Sequence, residues 1–359
     1  MPSRILSCSR ILTLYDVRGL GGFGKSEPNC FYIAFDRIQW YDSPSFLPIW
    51  FWKKISLFEG LAMNETKDRL PLALLVLRLG IFLVLILWTL DKFINPTEAI
   101  SIYSGYYGVH LSSVGVYVLG ALELLVVLAF LVGMQKRLSR AVVMAMVSTT
   151  VLFPGRLYFH PYVDHILLFF AFWTMLAGCF ALYSLREYDV IWSLPSPPST
   201  GDSDASREDR LARALLLLRL SVAIALGMWC AGKFINPTQT TRILSGFYSI
   251  KGVSFVGAYG IGILQAALIL AFVLGVAKRV SYGLVMLSHI PAVLAPWAQY
   301  MHPYGGHVLL FLGAFPMWSA CFAVYYLREY DVLYVLSPRR ASQRSQMGGR
   351  AVEAISGGR

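Results

Sequence analysis

Residues 70–109, LPLALLVLRLGIFLVLILWTLDKFINPTEAISIYSGYYGV, recur as residues 211–250, LARALLLLRLSVAIALGMWCAGKFINPTQTTRILSGFYSI, identical at 19 of 40 positions at an offset of 141. Each copy runs about 20 mostly apolar residues up to a lysine, enough at about 1.5 Å per residue to cross a hydrocarbon core roughly 30 Å thick. One extra residue falls near Lys251, and from there the offset is 142: His160–Asp189 matches His302–Asp331 at 17 of 30 positions. Identity this dense in two separate blocks reads as a unit written twice.

Working outward, eight stretches are long and apolar enough to span a membrane: 70–90, 111–134, 139–156, 163–185, 211–231, 253–276, 280–299 and 305–327. Pro154 shortens the third, and Pro291 and Pro296 are expected to interrupt the seventh. Four spans per unit is an even number, so both units share one orientation, as in a parallel repeat about an axis along the membrane normal. The expected fold is all-α integral membrane, with eight transmembrane helices as two tandem parallel four-helix bundles. The units are 69–190 and 211–335, with a polar linker at 191–210 and a basic tail at 336–359. Residues 1–62 fit neither unit. Gly19, Gly21 and Gly24 satisfy a GxGxxG spacing, but no strand precedes them and no helix pattern follows. Met63 opens a short polar lead into the first span, and translation is expected to start there.

Composition agrees. The 359 residues are 57% hydrophobic and 14% charged, with mean hydropathy +0.58. Soluble domains carry roughly 25% charged residues, so a soluble enzyme and a disordered chain are both excluded. The net charge of +11 reads as basic loops rather than as a nucleic-acid surface. Lys136, Arg137 and Arg140, then Lys278 and Arg279, then the tail arginines put those loops and both termini in the cytoplasm, in an inner or plasma membrane of bacterial type. The five cysteines contain no CxxC pair and indicate neither a disulfide framework nor a zinc site.

What both copies keep marks candidate sites. Arg78 and Arg219 correspond, each inside a first span, where a charge is normally turned inward and paired. By helical rise Arg78 lies about 12 Å, and Glu123 of the second span about 16 Å, from the same side, so a buried Arg78–Glu123 pair is expected. Gln265 stands where Glu123 would recur. Lys92 and Lys233 open the repeated KFINPT, in which Asn95 and Asn236 precede prolines that stop a helix. HPYxxH recurs as His160 with His165 and His302 with His307. Its histidines are about 140° apart on a helix, so they share no face and no metal is expected. The repeated LREYD, 185–189 and 327–331, is read as a helix end with local ion pairs.

Arg78, Lys92 with Pro96, Gly120 with Glu123, Lys136-Arg137 and His165 together resemble the DoxX-like membrane family, and residues 69–335 resemble two fused modules of it. The resemblance implies four-helix membrane bundles associated with quinone-connected redox systems. A membrane subunit is the expected role, with a quinone at the outer face or on a redox partner subunit. Lys92, Lys233, His165 and His307 would line the site, above Arg78 and Glu123. Two other classes fit the same residues: a small-molecule or ion transporter, since buried Arg and Glu mark pathways, and an assembly factor for which the charges fix packing. Partners are therefore the bilayer and a redox subunit, with no nucleic acid.

Overall fold

The structure is a computed structural model that describes residues 66–153, 155, 157–162, 166–194 and 204–336. The extension over 1–62 with its glycine spacing, the linker residues 195–203, Pro154, His165 and the tail from 337 lie outside the described residues. Among those described there are helices and turns and no strand. The first repeat gives α1 (Thr66–Ile94), α2 (Pro96–Tyr107), α3 (Ser113–Leu131), α4 (Lys136–Leu152) and α5 (Ile166–Ser184). The second gives α6 (Asp204–Ile235), α7 (Pro237–Phe247), α8 (Phe255–Val273), α9 (Lys278–Leu294), the short α10 (Trp297–Tyr300), a 3-10 segment (Gly306–Gly313) and α11 (Ala314–Tyr326).

Six helical stretches are long and apolar enough to cross a membrane: Arg69–Ile94, Ser113–Leu131, Ile166–Ser184, Ala205–Ile235, Phe255–Val273 and Val308–Tyr326. The third and seventh expected spans form α4 and α9, 17 residues each, which stand outside those six. Their basic first turns and their Ser, Thr and His residues dilute the apolar run. Pro291 does not interrupt α9, which continues to Leu294 before Pro296. The helical part of the second repeat also starts earlier than its apolar run, because the Ala, Arg and Glu of 204–210 are compatible with helix.

Local chemistry sets the ends in the same way twice. Asn95 and Asn236 each separate two helices, and the following Pro96 and Pro237 open α2 and α7, where a missing N–H costs nothing. Ser112 accepts a hydrogen bond from Gly115 N at 3.2 Å, and Ser254 from Gly257 N at 3.2 Å, starting α3 and α8.

The two repeats share one interior. The described residues all belong to one compact unit. The most extensive helix contacts run between repeats, α5 on α6 and α1 on α11. These four helices have 50–61% of their apolar windows buried, against 22% and 17% for α3 and α8, which lie outside. Small residues allow the approach: a Cβ on Gly80 of α1 would lie 2.5 Å from Ser319 Oγ of α11, and one on Gly313 would lie 3.1 Å from Ala171 Cβ of α5. Cys179 and Cys321, each 1% exposed, fill the same core.

Candidate functional site

The polar residues gather at two ends of the bundle. At the first, Arg78 is fully buried and donates from Nη1 to Asp189 Oδ2 at 3.1 Å and from Nη2 to the carbonyls of Ile191 and Trp192 at 2.6 and 3.2 Å. Arg140 of α4 pairs with the same Asp189 oxygen and donates to the Leu182 carbonyl at 3.0 Å. Burial pushes the Asp189 carboxyl up, while Arg140, Arg78 and Lys136 pull it down. The loop after α5 is folded for this purpose. Trp192 has φ 49, and Leu194 N donates to the Val132 carbonyl at 3.0 Å, so the loop closes under the end of α3.

The second repeat builds the same tie with one exchange. Arg219 meets Asp331 Oδ2 at 2.8 Å and donates to the Leu333 and Tyr334 carbonyls at 2.6 and 3.4 Å. Tyr334 has φ 51, and Leu336 N donates to the Leu274 carbonyl at 2.8 Å. Arg140 is replaced by Tyr282, which donates to Asp331 Oδ2 at 2.6 Å and accepts from Arg219 at 3.1 Å.

At the opposite end, Lys92 Nζ lies 2.7 Å from Glu123 Oε2, with side-chain exposures of 12% and 16%. Tyr103 of α2 donates to Glu123 Oε1 at 3.4 Å, and its ring lies under the ammonium, 5.9 Å from Nζ. Burial, with Glu123 adding to it, pushes the Tyr103 phenol up, so it remains a neutral donor. Gly120 admits the pair: a Cβ there would sit 3.0 Å from Phe93 and 3.2 Å from the Lys92 stem. In the second repeat Lys233 donates to the Trp229 carbonyl at 3.2 Å, and Gln265 is half-buried on α8.

The expected Arg78–Glu123 pair is therefore corrected. Rise along a helix fixes depth but not which neighbour is faced, and the two residues take partners at opposite ends. The reading of LREYD is half right. Glu187 makes a local pair with Arg186 at 3.8 Å and a second, across to Arg210 of α6, at 3.6 Å, but Asp189 and Asp331 are fully buried and hold Arg78 and Arg219. Those aspartates, with Arg140 and Tyr282, are the residues missed. The recurrence of an acid at the end of each unit was the signal.

Asn95 donates to Asp91 Oδ1 at 3.0 Å and to the Tyr304 carbonyl of the other repeat at 3.4 Å, while Asn236 accepts from Gln239 N at 3.1 Å. Tyr162 reaches back to the Met228 carbonyl at 3.4 Å, so the HPY segments brace the two repeats. His160 and His302 are exposed. His165 and the His307 side chain lie outside the described residues. Among those described, no three His, Cys, Asp or Glu are placed to hold a metal. Compared with protein-family models, curated proteins and solved structures, the chain matches none.

Proposed function

We propose that the chain is a DoxX-like integral membrane protein, a four-helix unit duplicated in parallel to give eight spans, with both termini cytoplasmic. Its working face is the Lys92 end, where it serves as the membrane subunit of a quinone-linked redox system. One observation carries this reading. The charges at the Asp189 end are consumed in buried ties to their own loops, whereas Lys92 and Glu123 remain partly open beside Phe93 and Tyr117, which stack at 6.3 Å. An ammonium and a phenol next to flat aromatic walls suit the carbonyl oxygens and ring of a quinone. Lys92 would orient a carbonyl, with Glu123 and Tyr103 setting where its proton is held. Lipid extraction of the purified protein tests this: a quinone should co-purify with the wild type and fall sharply in Lys92→Gln and Glu123→Gln. A quinone-free wild type would overturn the reading.

An assembly factor is the second reading, supported by the ties of Arg78 and Arg219, which fix helix register rather than contact a substrate. Loss of a partner complex from the membrane on deletion, with a quinone-free preparation, would favour it. A small-molecule or ion transporter is the third reading; the buried Arg and Glu that suggest it, Arg78 and Glu123, take separate partners.

A further inference from the structure

The two lysine sites differ in charge. In sequence, Asp91, Glu98 and Glu123 of the first repeat correspond to Gly232, Gln239 and Gln265, and no Asp or Glu occurs from Arg210 to Arg328. Lys233 is kept nonetheless, and Arg242 stands where the first repeat has Ser101. The walls of the site are also kept. Phe234 stacks on Tyr259 at 6.1 Å and 8°, as Phe93 does on Tyr117 at 6.3 Å and 15°. Gly262 lies under Phe234 and the Lys233 stem as Gly120 lies under Phe93 and Lys92. The contents are not kept: Tyr103, which donates to Glu123, becomes Leu244. Both lysines donate to the carbonyl four residues back, Lys92 to Trp88 at 3.4 Å and Lys233 to Trp229 at 3.2 Å, but Lys92 also holds a carboxylate at 2.7 Å, whereas among the described residues no carboxylate lies within ion-pair reach of Lys233.

We propose that the Lys233 end of the second repeat binds the anionic headgroup, carboxylate or phosphate, of an amphiphile that enters from the bilayer, with the anion on Lys233 Nζ where the first repeat places its own Glu123. The first repeat shows what this lysine ligates in this setting. A cation at a helix end against hydrocarbon is costly without a partner, and a charge-assisted hydrogen bond to an entering anion relieves that cost. Phe234 and Tyr259, 42% and 38% exposed, give an apolar chain a track beside the lysine. The site stands whether or not the Lys92 end takes a quinone.

The test uses the full chain in detergent, with oleate and dioleoylphosphatidic acid as probes and acetate and inorganic phosphate as headgroups without chains. Wild type should retain one or both amphiphiles in native mass spectra. Lys233→Gln and Gln265→Glu should each weaken that retention about tenfold or more, the worth of one charge-assisted hydrogen bond, and Lys92→Gln should leave it unchanged. Gln265→Glu supplies the carboxylate that the first repeat already accommodates, so it should melt higher than wild type without probe and no longer respond to probe. Which of oleate and phosphatidic acid is retained identifies the headgroup. Retention by Gln265→Glu equal to wild type, equal loss in Lys92→Gln, or acetate and phosphate binding as tightly as the amphiphiles would overturn the proposal.

Discussion

Asp189 answers two guanidiniums, whereas Asp331 answers one guanidinium and a phenol. The difference gives the first repeat an excess of buried positive charge and makes its aspartate the more sensitive position. Asp189→Asn strands Arg78 and Arg140, which are 0% and 1% exposed, and should cost about 3–5 kcal/mol. Arg140→Tyr instead reproduces the arrangement around Tyr282 and should cost about 1 kcal/mol. Unfolding midpoints in detergent measure both, and an Arg140→Tyr as damaging as Asp189→Asn would contradict the assignment. At the other end Glu123→Gln converts the first lysine site toward the second. Because the Lys92–Glu123 pair is partly open, the loss should be smaller, about 1–2 kcal/mol. A double-mutant cycle with Lys92→Gln should show that most of it is coupling between the two.

At the level of helices, the pairing of α1 with α11 is the contact on which the shared interior depends. Gly80 and Ser319 mark it, with a Cβ at residue 80 falling 3.0 Å from Ser319 Cβ. Cysteines at 80 and 319 should therefore form a disulfide on mild oxidation, after a shift of about 0.8 Å to the usual Cβ spacing of roughly 3.8 Å. Cleavage within 195–203 would then leave two fragments joined under oxidising conditions and separate on reduction; fragments that separate regardless would refute the pairing. The helices themselves were legible, because about 20 apolar residues followed by Asn-Pro leave few alternatives. Their partners were not. In lipid every face of a span is apolar, so periodicity does not say which neighbour a face meets, and α3 and α8 look much like α1 and α6 in sequence although far less of them is buried. Asp189 escaped for a related reason: it lies five residues past the end of α5, outside any span.

For the whole molecule, the decisive property is that α1 and α5 of the first repeat and α6 and α11 of the second find their largest contacts in the other repeat. Two independent bundles joined by a linker would each bury their own first and last long helices and would tolerate separation. Here a half-chain alone would expose the face of α1 that Ser319 and Leu309 cover, including the Trp88 indole that donates to the Leu309 carbonyl at 3.4 Å, and the face of α5 at Ala171 and Phe172 that Gly313 meets. It would also lose the braces from Asn95 to Tyr304 and from Tyr162 to Met228. The small-residue seam is specific for close backbone approach, so lipid or a random helix would fill it poorly. Splitting the chain within 195–203 and expressing residues 1–199 and 200–359 separately should therefore yield two unstable, rapidly degraded halves. Co-expression should restore a complex that co-purifies through a tag on one half and melts near the intact protein. Each half accumulating alone as a monodisperse, cooperatively melting species would show that the two repeats are independent bundles after all.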